Sequence, residues 1–145
     1  MSADGRARFR RLPSGFVLAI QDGRLSSSDW DEFVALVRRH RDDTAPLSFT
    51  RSQGAYPDAT QRRALMDAIG AALQPHARIA VMTDSVMGRA AVTAMSWVTP
   101  GFRAFRPFDT PTALQYLGVS GPPATEMVRV LAELEAGLGI RVNVA

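Results

Sequence analysis

The chain has 145 residues, no cysteine and no lysine, and its 17 arginines stand against 14 acids for a formal net charge of +3. This length suits one domain with a core large enough to fold without covalent staples, and the missing residue types exclude disulfides, thiolate catalysis, Schiff bases and a phosphate-loop lysine. The arginines are spread out and lack an aromatic-basic repeat, which speaks against nucleic acid as a partner. No apolar run reaches the ~18–20 residues needed to cross a bilayer, so a cytoplasmic protein is expected.

Residues 1–7 read as a disordered N-terminus. Arg8–Leu12 and Phe16–Ile20 read as strands joined by Pro13-Ser14-Gly15, an antiparallel hairpin. Arg6, Arg8, Arg10 and Arg11 around Phe9 suit a charged, solvated edge strand. Asp22-Gly23 turns the chain out of the hairpin. Ser26, Ser27 and Ser28 offer helix caps, with Asp29 and Asp31 at capping-box spacing from Ser26 and Ser28. The helix that follows places Trp30, Phe33, Val34 and Val37 on one face. It ends in Arg38, Arg39, His40 and Arg41, where positive charge suits the helix dipole, so His40 reads as a helix-end residue rather than a ligand. Pro46–Thr50 reads as a core strand and Arg51–Pro57 as a polar loop with Gly54 and Tyr56. The next helix, Asp58–Leu73, carries Leu65, Ala68, Ile69, Ala72 and Leu73 inward.

The stretch Arg78–Trp97 organises the rest. Ile79–Met82 is apolar without alternation, as in a parallel strand covered on both faces. Thr83, Asp84 and Ser85 supply a turn, and Ser85 or Asp84 caps the helix from Val86 to Val98. That helix is apolar around most of its circumference, with Arg89 its only charge, so it is expected to be packed on more than one side. The turn falls at a strand's carboxyl end, where open α/β sheets bind ligands. His76 falls at the opposite end and reads as structural.

Beyond it come Pro100-Gly101, a strand Phe102–Phe105 and a break at Pro107. Thr110 caps a short helix with Pro111 at its first position, Ala113, Leu114 and Leu117 inward, and Gly118 as its end. Gly121-Pro122-Pro123 breaks the chain before a last helix, Thr125–Leu138, with Met127, Val130, Leu131, Leu134 and Leu138 in one stripe. The alternating tail Ile140–Val144 suits an added edge strand.

Hairpin, then alternating helices and strands, then an extra C-terminal helix, is an α/β order. It resembles the STAS fold of anti-sigma-factor antagonists and, more closely, the SpoIIAA-like family. The matching residues are Gly23-Arg24-Leu25-Ser26, Arg78 to Ser85 (RIAVMTDS), and Arg103 to Asp109 (RAFRPFD) followed by Ala113 to Gly118 (ALQYLG). The resemblance covers residues 8–119 and leaves residues 120–145 as a C-terminal helical extension, packed on the domain or on a partner. It implies a mixed sheet and a non-enzymatic module that binds proteins. It also implies a site for serine phosphorylation at the start of the helix after the central strand, where Ser85 stands. The family pattern is Asp-Ser-Ser-Gly with the second serine modified, whereas this chain has Asp84-Ser85-Val86-Met87.

Four functions are expected to compete. The first is a protein-interaction or regulatory module, using Thr83, Asp84, Ser85 and Arg89 at the carboxyl edge and Met127, Leu131, Leu134 and Leu138 as an interface helix toward a partner or a homodimer. The second is a phosphorylation switch at Ser85. The third is an apolar-ligand or lipid pocket lined by Met82, Met87, Met95, Trp97, Phe102 and Phe105. The fourth is an enzyme. It lacks support, because the chain has no nucleophile elbow, metal-ligand pair, phosphate loop or dinucleotide fingerprint. No catalytic residue, metal or cofactor is assigned.

Overall fold

The computed structural model describes residues 4–21, 24–53 and 57–138. The Asp22-Gly23 turn, Gly54, Tyr56 and the tail Ile140–Val144 lie outside the described residues.

The strands are β1 (Asp4–Gly5), β2 (Ala7–Leu12), β3 (Gly15–Ile20), β4 (Arg24–Leu25), β5 (Leu47–Ser52), β6 (Arg78–Thr83) and β7 (Phe102–Phe105). The helices are α1 (Ser27–His40), α2 (Ala59–Ile69), α3 (Val86–Ser96), α4 (Thr110–Leu117) and α5 (Gly121–Gly137), with a 3-10 turn at Gln74–His76. Five strands form one mixed sheet in the order β2-β3-β5-β6-β7. The β2–β3 hairpin is antiparallel and all other pairings in it are parallel. The short strands β1 and β4 pair parallel beside it, so the chain is already paired at Asp4. The Ala7 N–H donates to the Asp29 carboxylate at 2.9 Å, which holds this end down. That bond also draws Asp29 away from the capping box expected with Ser26, whose hydroxyl accepts from the Asp29 N–H.

From β3 the strand order runs one way, β3, β5, β6, β7. Right-handed crossovers then put every connecting helix on the same face. Helices α1, α2 and α3 accordingly share one face, over Phe16, Leu18, Ile20, Ile79, Val81 and Phe102. The other face, with Val17, Ala19, Phe49, Ala80, Met82 and Phe105, is covered by α4 and α5. Met127, Leu131, Leu134 and Leu138 are buried there. This corrects the expectation of an interface helix. Those four side chains fill the domain's own core, because α4 covers β5 and β6 and without α5 the hairpin side of this face would be bare.

Three local readings also change. Gly121-Pro122-Pro123 forms the first turn of α5 instead of a break, since proline in a helix's first turn gives up no intrahelical hydrogen bond. The N-cap of α4 is Asp109, with Thr110 its first residue. Helix α2 stops at Ile69 because Gly70 takes φ 89°, which leaves Ala72 exposed and Leu73 half-buried. Its start carries a complete capping box between Asp58 and Gln61.

Candidate functional site

The turn after β6 is built from side chain to backbone. Thr83 is buried, and its hydroxyl oxygen accepts the Ser85 N–H at 3.3 Å. The Ser85 hydroxyl oxygen accepts the Gly88 N–H at 3.0 Å and caps α3. A side chain at Gly88 would place its Cβ 3.2 Å from the Ser85 Cβ and 3.3 Å from the Thr83 hydroxyl, so glycine lets the helix close down on the turn. Asp84 is exposed beside them, and Arg89 is half-buried one turn on. Among the described residues Arg89 has no carboxylate within 4 Å. The four predicted residues therefore stand at one end of α3, with Thr83 inside and the other three reaching the surface.

Helix α3 corrects the expectation made for it. It buries only Gly88, Val92 and Met95, against β6 and β7. Val86 is 70 % exposed, Met87 74 %, Trp97 82 % and Val98 80 %. At 100° per residue Val86, Met87, Ala90, Thr93 and Ala94 form one stripe along the helix, and Trp97 and Val98 stand in the turn just past its end. The cause is topological. Helix α3 is the last crossover and lies over the edge strand, so only one side of it meets the sheet. Residues apolar at every angle do not reveal which side that is.

The residues expected to line an apolar pocket do not converge. Met82 and Phe105 lie on one face of the sheet, Met95 and Phe102 on the other, and Met87 and Trp97 in solvent. Between the sheet and α1–α3 two voids of about 20 Å³ each share Phe33, Ser48, Leu65 and Ile79. Each has room for about one water, far below the ~300 Å³ of a small-molecule pocket. They flank the buried hydroxyls of Ser48 and Thr50, which bond each other at 3.0 Å.

Neither histidine joins this end of the sheet. His76 precedes β6 and Ser85 follows it, which separates them by about 20 Å, six residues at the usual rise. His40 is the last residue of α1, at its far end, and faces Asp43 at 3.4 Å. Among the described residues no cluster of three acids or histidines could hold a metal, and no helix is long and apolar enough to cross a membrane.

One constellation went unread in the sequence. Arg51, placed in a loop from its polar neighbours, lies in β5 and reaches across the carboxyl edge. Its guanidinium donates from Nη1 to Glu135 Oε1 at 2.6 Å, from Nε to the Pro107 carbonyl at 2.8 Å, and from Nη2 to the Thr110 hydroxyl at 3.4 Å. It also lies 5.2 Å from the centroid of the Phe108 ring. Glu135 is 1 % exposed. Burial pushes its carboxyl above the usual glutamate range, and the Arg51 charge and hydrogen bond oppose that rise. The available signal was position: Glu135 stands four residues after Leu131, on the buried stripe, where a carboxylate needs a partner.

No protein-family model matches the chain, and no curated protein matches it. Among solved structures it is similar to a crystal structure of an uncharacterized DUF3478-family protein with a SpoIIAA-like fold from Shewanella loihica PV-4. The match covers 81 % of this chain and 98 % of that one, at 21 % identity and a TM-score of 0.53. The fold of this chain is SpoIIAA-like, an α/β domain with a mixed five-stranded sheet.

Proposed function

We propose that this chain is a non-enzymatic binding module that receives a partner protein on the exposed face of α3 and the adjoining Thr83–Ser85 turn. The observation that carries the reading is the stripe itself: four large apolar side chains, each at least 70 % exposed, two in the first turn of α3 and two in the turn just past its end. Contiguous apolar surface of this kind marks interaction sites. Asp84, Ser85 and Arg89 supply the polar rim that such patches need for specificity. The reading includes a regulatory role in the cytoplasm. The test is a photoreactive phenylalanine analogue placed in turn at Met87, Trp97 and Ala132, the last an exposed position on α5. Crosslinking in host cells should give one defined protein adduct at 87 and 97 and none at 132. An adduct of twice the chain's own mass would identify the partner as a second copy. No adduct at 87 and 97, or equal capture at 132, refutes the reading.

A second reading rests on one observation, that Arg89 lacks a carboxylate partner among the described residues and stands one turn from Ser85. A phosphate on Ser85 would add nearly two negative charges at a helix N-terminus, beside that arginine. Intact-mass measurement of protein from host cells in several growth states tests it. An unmodified Ser85 throughout overturns it.

A further inference from the structure

The end of the sheet opposite the Thr83–Ser85 turn carries an open cleft of about 670 Å³, within the size range of small-molecule sites. Its walls come from separate parts of the chain: Met66 of α2, Pro75 of the 3-10 turn, Arg78 at the start of β6, Val98 and Gly101 before β7, and Tyr116 of α4.

The side of the cleft formed by Gly101, Tyr116 and Arg78 is fixed in place. A Cβ on Gly101 would lie 2.2 Å from the Ala77 carbonyl oxygen, so only glycine allows this approach of two backbones. The Gly101 carbonyl accepts from the Ile79 N–H at 2.8 Å and from the Tyr116 hydroxyl at 2.8 Å. With its hydroxyl tied down, the Tyr116 ring is a rigid platform. Arg78 donates from Nη1 to the Tyr116 carbonyl at 2.8 Å, and its guanidinium carbon lies 5.6 Å from the ring centroid. The Arg103 guanidinium lies 5.4 Å from the same centroid. Among the described residues neither arginine has a carboxylate within 4 Å, and the Nε and Nη2 groups of Arg78 have no protein acceptor.

Two positive charges are thus gathered on one aromatic ring beside a preformed cleft. A pre-oriented guanidinium with two adjacent free N–H groups matches the two oxygens of a carboxylate or phosphate. Met66, Pro75 and Val98 supply apolar walls next to it. We propose that this cleft binds a small organic anion, its charged head on Arg78 and its apolar body along those three residues. The site is independent of the α3 docking face, with which it shares only Val98.

The test is a ¹H–¹⁵N NMR titration of the full chain with phenyl phosphate, with phenylacetate and with neutral benzyl alcohol. At least one anion should move the Arg78 Nε–H, Gly101 and Gln115 resonances and saturate near ~1 mM or below, a typical weak site. The stronger anion tells whether the head is phosphate or carboxylate. Benzyl alcohol should bind at least ~10-fold more weakly, the loss expected without a charge-assisted pair. Arg78→Gln should weaken the anion to the same degree. Val98→Trp, at an exposed position, should block the cleft while leaving Arg78 in place, so a misfolded Arg78→Gln would not end the test. No movement of cleft resonances with either anion at ~10 mM, equal binding of benzyl alcohol, or undiminished binding to folded Arg78→Gln overturns the proposal.

Discussion

Replacing Arg51 with methionine tests how the carboxyl edge is held together. The substitution keeps much of the side chain's length and apolar contact. It removes the charge and three hydrogen bonds, to Glu135, Pro107 and Thr110. Glu135, 1 % exposed, is left without its counter-charge. Breaking a buried pair from one side costs about 3–5 kcal/mol, a large share of the ~5–15 kcal/mol that holds a domain together. The cost depends on pH. Because the folded pKa of Glu135 is raised, its contribution to stability is fully present below its unfolded pKa and is lost as pH rises through the folded value. Without Arg51 the folded pKa rises further. Arg51→Met should therefore lose the full amount near pH 8 and less near pH 5, where a protonated Glu135 needs no counter-charge. The double variant Arg51→Met/Glu135→Leu removes both charges and should return to within about 1 kcal/mol of the parent at pH 8. Urea unfolding followed by circular dichroism at both pH values reads these differences. A loss below about 1 kcal/mol at pH 8, or a double variant as unstable as the sum of its singles, refutes the account.

Other consequences can be read the same way. Ser85→Ala removes the cap on α3 and should cost about 1 kcal/mol in urea unfolding, whereas Ser85→Asp keeps an acceptor at the cap and should cost little. Gly101→Ala forces a carbon against the Ala77 carbonyl and should destabilise by roughly 2–3 kcal/mol, with shifts in the Ile79 and Tyr116 resonances. Met87→Glu and Trp97→Glu should stay within about 0.5 kcal/mol of the parent in stability while abolishing partner capture, since both side chains already sit in solvent. Deleting residues 120–145 should leave a chain that binds a hydrophobic dye and shows weakened near-ultraviolet dichroism, because Leu12, Val17 and Ala19 on the hairpin lose their cover.

Local signals in the sequence were strong where one principle acted alone. The hairpin around Pro13-Ser14, the apolar run of β6 and the short strand Phe102–Phe105 stand as read, since pattern and turn chemistry agree there. The turn at Thr83–Ser85 was legible for the same reason: a capping serine directly after a buried strand. Other features depend on what lies across space. The exposed stripe of α3 follows from its place over an edge strand, and strand order cannot be read from the helix's own residues. Arg51 looked like loop because its partner Glu135 is 84 positions away. The cleft beside Arg78 was hidden because its walls come from distant segments and its arginine opens an otherwise ordinary strand. Pro122 and Pro123 look like a break in sequence, although the first turn of a helix accepts them.

The one-way strand order also bears on how the chain can be made. Helix α5 packs on β2 and β3, and the Arg10–Glu133 ion pair joins positions 123 residues apart. As the chain leaves the ribosome, the hairpin comes first and the helix that covers its second face comes last. Val17 and Ala19 must wait for Val130 and Leu134 before they leave water. The hairpin's apolar second face thus stays uncovered until α5 has been made, a surface that a holding chaperone would recognise. The native state closes only after more than a hundred residues have followed the first strand, so such long-range contacts should make its folding slow for a domain of this size.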